Sequence, residues 1–185
     1  MKPTEVLKEE HQGIKVGLSI LGKIADKLQA DQPVPPEHLE QLVDFIRTFA
    51  DRCHHGKEED LLFGEMVKAG VPKQGGPIAV MLMEHDQGRA YVRGMADAIP
   101  AYKAGDVRAG YKIAENARGY IRLLAQHIDK EDNILYPIAD ARLTEKQQIC
   151  LLEGFEKVEE ERVGHGKHEE FHRMLDQLSG VYLQP

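Results

Sequence analysis

Apolar residues recur along this chain at alternating steps of three and four, the period of helices that bury one face. From Pro3 or Thr4 to about Ala30 the stripe is Leu7, Ile14, Leu18, Leu21, Ala25 and Leu28. Pro33, Pro35 and Pro36 then stop the helix, because proline lacks the N–H that continues it. A second helix is predicted from Pro36 to Ala69, with Leu39, Leu42, Val43, Ile46, Phe49, Ala50 and Cys53 on one face. After the glycine- and proline-rich break at 70–77, a third runs from Pro77 to Ile99. It carries Ile78, Met81, Val92, Met95 and Ile99, and Pro100 closes it. The fourth extends from Asp106 to Tyr136 or just beyond. Val107, Ala114, Ala117, Ile121, Leu124, Ile128 and Leu135 line it, and Pro137 lies near its end.

Four helices of similar length joined by short breaks predict an all-α fold, an up-down four-helix bundle over residues 1–140. Residues 141–185 read as additional C-terminal helices, started by Thr144 as an N-cap and split at Gly164. They show less apolar surface and are expected to pack on the outside of the bundle.

Each of the four stripes is interrupted by a histidine. His11 fills the slot between Leu7 and Ile14, and His85 the one between Met81 and Val92, with Gly88 leaving room beside it. His54 follows Ala50 by four residues, and His127 lies along the fourth stripe. Two of the histidines belong to an internal echo. His-His-Gly-Lys-Glu-Glu-Asp-Leu-Leu-Phe (54–63) aligns with His-Ile-Asp-Lys-Glu-Asp-Asn-Ile-Leu-Tyr (127–136), which places His54 on His127, Lys57 on Lys130, Glu58 on Glu131 and Phe63 on Tyr136. A histidine and a glutamate four apart share one face of an α-helix. In that register His54 and Glu58 point inward, and His55 and Glu59 point away. Buried polar groups are costly unless paired or metal-bound. Histidines on all four helices and glutamates on two therefore imply a metal centre. Imidazole plus carboxylate suits iron, manganese or zinc, and bridging carboxylates favour two metals. The candidate ligands are His11, His54, Glu58, His85, His127 and Glu131. Cys53, in the second stripe, reads as a small core residue.

Composition narrows the function. The chain has 185 residues, 42% of them hydrophobic and 30% charged, with no Trp, as suits a soluble globular protein. Its net charge of −7 argues against nucleic acid or an anionic membrane as partner. No apolar run is long enough to span a bilayer. The start of the chain is too charged for a signal peptide. Cys53 and Cys150 form no CxxC pair, so a reducing cytoplasm is the expected compartment.

The set of motifs resembles the hemerythrin-like, or HHE cation-binding, family. That pattern is a histidine on helix one, His-x-x-x-Glu on helix two, a histidine on helix three, and His-x-x-x-Glu or Asp on helix four. Here it is carried by His11, His54 with Glu58, His85, and His127 with Glu131, over roughly residues 4–140. The resemblance implies a non-haem di-iron centre with an oxo or hydroxo bridge, in which Glu58 and Glu131 bridge the two iron ions. It implies small ligands such as O₂, NO or peroxide, bound or reacting in sensing, iron handling or detoxification. There is one departure. Oxygen-carrying hemerythrins have two histidines, four apart, on helix three, and here Met81 and Arg89 flank His85 at those places. A missing fifth imidazole opens a position and favours reaction over reversible O₂ carriage. The family's iron–sulfur repair members add an N-terminal cysteine-rich segment that this sequence does not show.

Other readings compete with this one. The same site could make the protein an enzyme with catalase-like or NO-related activity, or the histidines could be structural in a metal-free four-helix interaction module. His168-Glu169-Glu170-Phe171-His172 matches the zinc-protease motif His-Glu-x-x-His, but the 13 residues after it hold no His or Glu to complete the site, and the all-helical context is wrong for it. It reads as a surface helix, or as a lid that brings His172 to the bundle mouth. A ferritin-like di-iron site needs Glu-x-x-His on two helices, and only Glu169 with His172 has that spacing.

Overall fold

A computed structural model gives the fold; it describes residues 1–164 and 166–184. The helices begin and end largely where the sequence pattern puts them. α1 spans Pro3–Gln29, with Pro3 in its first turn and its whole apolar stripe buried. α2 (Pro36–Phe45) starts at Pro36 and leads into a long rod that ends with α3 (Phe63–Lys68). α4 spans Pro77–Lys103. α5 (Val107–Lys130) is capped by Asp106, whose carboxylate accepts from the Arg108 N–H at 2.9 Å. α6 (Tyr136–Arg142) completes that rod. α7 (Glu145–Arg162) opens on a capping box between Thr144 and Gln147. Gly164 (φ +86) and Gly166 (φ +78), in the left-handed region that glycine tolerates, turn the chain into α8 (Lys167–Tyr182). Among the described residues there is no strand, and the all-α bundle is as predicted.

Two helices run past prolines that were expected at or near their ends. Pro100 lies inside α4, which continues to Lys103. The hydroxyl of Tyr102 holds that last turn, donating to the Val34 carbonyl and accepting from its N–H, both at 3.0 Å. Pro137 lies at the junction where the π turn passes into α6, directly after Tyr136, whose N–H bonds the Glu131 carbonyl.

The larger departure is inside the second and fourth rods. Residues Ile46–His55 and Glu58–Leu62 in one, and Glu131–Leu135 in the other, form π-helical turns with i→i+5 bonding. Such turns are rare and concentrate at functional sites. The two short ones begin at the echoed glutamates, so the echo in sequence is also an echo in backbone.

The four rods, α1, residues 36–68, α4 and residues 107–142, pack side by side. Their apolar interior is in two pieces. The larger contains Ile14, Leu21, Phe45, Met95, Ile113 and Leu124; the smaller contains Leu7, Leu62, Met66, Ile78, Met81 and Leu135. The division falls at the stripe histidines: Leu7 and Ile14 flank His11 on opposite sides, as Met81 and Val92 flank His85. A polar layer thus crosses the bundle between two apolar halves. α7 adds Leu151 and Phe155 to the smaller half. α8, packed on α1 and α2, adds Phe171, Met174, Leu175, Leu178 and Tyr182 to the larger. The apolar contribution of the C-terminal helices exceeds the expectation. No helix among the described residues is long and apolar enough to cross a membrane.

Candidate metal centre

The polar layer gathers all six candidate residues, each almost fully buried. The Nε2 atoms of His11 and His54 lie 3.1 Å apart, and so do those of His85 and His127. The two glutamates stand between these pairs. Glu131 directs Oε2 at His11 Nε2 (3.2 Å) and Oε1 at His127 Nε2 (2.9 Å) and His85 Nε2 (3.9 Å). Glu58 Oε2 is 3.4 Å from His85 Nε2 and 4.0 Å from His54 Nε2. Each carboxylate therefore faces both imidazole pairs, the placement a bridging ligand needs.

A seventh residue joins them, and it is one that the helical register had turned away. His55 is buried (4% exposed), and its ring stacks on His85 at 3.8 Å. Its Nδ1 faces Asp51 Oδ1 at 3.4 Å, which leaves Nε2 for the cluster. His55, Glu58, His85 and His127 offer ligand atoms within 4.8 Å of one another, as do His11, His54 and Glu131. The expectation that His55 points outward is corrected by the π turns. In an α-helix consecutive side chains diverge by about 100°. With i→i+5 bonding each turn holds about one more residue, the divergence shrinks, and His54 and His55 both face inward. The same widening brings Phe63 and Tyr136, five residues after the two glutamates, onto the buried face. Tyr136 donates from its hydroxyl to Glu58 Oε1 at 2.8 Å and lies 3.4 Å from His11 Nε2.

Every imidazole that faces the cluster through Nε2 is held from behind by an acid. His11 Nδ1 meets Asp132 (2.8 Å), His54 Nδ1 meets Glu10 (2.8 Å), His85 Nδ1 meets Glu59 (2.7 Å) and His127 Nδ1 meets Glu84 (2.9 Å). A cation holds each acid in turn: Lys15 on Asp132, Lys57 on Glu10, Arg89 on Glu59 and Lys130 on Glu84. Carboxylates behind metal-binding histidines fix the tautomer and ring orientation. These partners were missed in the sequence, although a signal for them exists. Glu-His occurs at both 10–11 and 84–85, and Glu58-Glu59 matches Glu131-Asp132. The echo thus extends over all four rods, and its lysines, Lys57 and Lys130, are the cations of the outer layer. Glu59, expected to point away, holds His85.

The electrostatics of the cluster call for positive charge at its centre. Glu58 Oε2 and both oxygens of Glu131 are buried without a hydrogen-bond donor. Burial opposes the charged form of Glu131, but the surrounding imidazoles of His11, His127 and His85 hold its carboxyl well below the usual range. Burial also opposes charge on His85, yet Glu131, Glu58 and Glu59 overcome it and push the imidazole up to about 11. His11 and His127 are raised against burial, chiefly by Glu131. His55 is different: burial, then the charge on His85, keeps it neutral, the form that binds metals. A divalent cation between the carboxylates would supply what protons on the histidines supply here, so the donor set fits a metal.

Other sequence features stand apart. Met81 belongs to the smaller apolar half, and Arg89 pairs with Glu59 and Asp51, so neither is a donor to the cluster. His172 is exposed, and His168 stacks on Phe49; the zinc-protease-like motif and the idea of His172 at the bundle mouth both fail on that placement. Cys53 is a buried core residue as expected. Glu10, Cys53 and Glu159 form a third tight group, but the Lys57 ammonium already bonds both of its carboxylates.

The family model of the hemerythrin HHE cation-binding domain matches residues 2–139. The chain belongs to that family. It is also similar to uncharacterized proteins of Mycobacterium bovis and Mycobacterium tuberculosis, at 27% identity over 177 residues, which is 96% of this chain and 68% of theirs. No solved structure gives a significant match. The family and the His/Glu clusters together fit a metal-binding protein.

Proposed function

We propose that this chain is a non-haem di-iron protein that binds or reacts with O₂, NO or peroxide. One iron would be held by His11 and His54, the other by His55, His85 and His127, with Glu58 and Glu131 shared between them. The observation that carries the reading is the set of three donorless carboxylate oxygens, on Glu58 and Glu131, buried between two imidazole pairs. The irons would supply redox chemistry and sites for the small molecule. The chain supplies the rest. The four outer acids orient the imidazoles, the two apolar halves exclude water from above and below, and Tyr136 holds a proton at Glu58 Oε1.

The absence of a histidine at Met81 and Arg89 had favoured reaction over reversible carriage. His55 weakens that argument. Five imidazoles and two carboxylates would leave a di-iron centre fewer open positions than four imidazoles would. Reversible binding and reaction therefore both remain within this reading. Residues 1–140 would form the metal-binding bundle, and 141–185 an extension that seals it. Both cysteines are free, which suits a cytoplasmic setting.

The test is metal analysis with an optical spectrum of protein from iron-supplied cells, repeated after anaerobic ferrous loading. About two irons per chain and a near-ultraviolet absorption are expected. A folded protein that stays metal-free after loading would leave the metal-free interaction module as the reading.

A further inference from the structure

A cavity of about 260 Å³ opens beside the cluster, between the second rod and α4. His55, His85 and Tyr120 form its inner wall with Gly88, Ile46 and Val92. The chain has ten arginines, and four of them, Arg47, Arg52, Arg89 and Arg93, line this one cavity. Asp51 is the only acidic side chain in the lining. So strong a cationic cluster in a chain of net charge −7 is not a consequence of composition.

The arrangement follows from two facing ladders. The π stretch aligns Arg47, Asp51 and His55, four residues apart, and α4 aligns His85, Arg89 and Arg93 at the same spacing. The rods run antiparallel. His55 stacks on His85 at 3.8 Å, and one step outward Asp51 meets Arg89 at 2.9 Å. By the same register Arg47 then faces Arg93, like charge against like. Arg89 is neutralised by Asp51, Glu59 and Asp86. Among the described residues no carboxylate pairs with Arg47, Arg52 or Arg93. Opposed guanidinium groups at a cavity mouth repel one another unless an anion lies between them, and their fork geometry matches a carboxylate or an oxyanion of phosphate type.

We propose that this cavity is a binding site for a small oxyanion, held by Arg47, Arg93 and Arg52 against the His55–His85 wall. The apolar lining of Ile46, Val92 and Tyr120 takes the remainder of an organic acid if the ligand has one. The site shares its His55–His85 wall with the cluster, but its arginines are not metal ligands and it does not require a metal. It would bring an anionic substrate or effector next to the cluster, and its positive potential would speed the approach of anions.

The test is calorimetric titration of inorganic phosphate and, separately, succinate into the protein as isolated, after chelation, and after ferrous loading. At least one anion should bind saturably at one site in all three preparations, more weakly at high salt. Binding of phosphate alone identifies an inorganic oxyanion, and of succinate alone an organic acid. Arg47→Gln and Arg93→Gln should each weaken it about tenfold or more, the loss of a charge-assisted hydrogen bond. Arg108→Gln, exposed at the start of α5, should leave it unchanged. All three positions are exposed, so the variants should keep wild-type circular dichroism. No saturable binding at millimolar anion, or binding indifferent to Arg47 and Arg93, overturns the site. Binding that needs iron and ignores the arginines means that the anion sits on the metal. A chain that takes up no iron yet keeps arginine-dependent binding would sink the di-iron reading and leave this one standing.

Discussion

The imidazole of His55 lies 3.8 Å from that of His85, tilted by only 16°. These side chains come from different rods, and His55 reaches the second only because the helix carrying it is wound as π turns. Regular α-helical winding would point it away from His54. The contact supplies the fifth imidazole of the cluster from within the echoed motif of the second rod and not from α4, where the family's oxygen carriers have it.

Replacing His55 with alanine should therefore reduce iron binding about tenfold or more, since even an outer partner of a ligand is worth that much. Iron stoichiometry after dialysis against a weak chelator would measure it, with His168→Ala as the control. Full retention of two irons in the His55 variant would return that residue to a packing role.

The four acids behind the histidines should behave alike. Glu10→Ala, Glu59→Ala, Glu84→Ala and Asp132→Ala each leave one Nδ1 without its partner, and each should lower iron affinity about 10- to 100-fold. Competition with a chromogenic chelator gives the comparison. A Glu59 variant indistinguishable from wild type would mean that the 2.7 Å contact with His85 does not hold the ring.

Tyr136→Phe removes the one donor to Glu58 Oε1. Burial and the neighbouring Glu131 and Glu58 charges raise this phenol well above its usual range, so at neutral pH the metal-free protein keeps it as a donor. The metal-free variant should lose about 1–3 kcal/mol of stability, the cost of an unsatisfied buried group. Urea unfolding with and without iron tests this, and the loss should shrink once iron is bound to Glu58. An unchanged midpoint in the metal-free protein would contradict the bond.

The tail separates two roles. His172 is exposed, so His172→Ala should leave iron content unchanged. Deleting residues from Val163 onward removes Phe171, Met174, Leu175, Leu178 and Tyr182 from the larger apolar half. At about 1.5–3 kcal/mol for each buried side chain, the truncated chain should be close to unfolding, and its iron loss should follow the loss of helix. Thermal melts followed by circular dichroism will show whether helix and iron are lost together. A truncated chain that melts like the whole one would show that α8 does not support the bundle.

The sequence by itself determined the bundle and most of the centre. Apolar residues at a helical period define four rods, and in each the same face carries a histidine; burial of that face is enough to make His11, His54, His85 and His127 converge. The echo of Glu58 in Glu131 follows from the same periodicity. Tertiary structure decided what periodicity assumes away. An apolar stripe is read at about 100° per residue, and that reading fails where the winding changes, so His55 was placed outside and the inward reach of Tyr136 was not foreseen. The outer acids lie on rods other than those of the histidines they hold, Glu10 on α1 serving His54 and Glu84 on α4 serving His127. Which acid meets which ring depends on how the rods are set against one another, and spacing along a single helix carries no information about that.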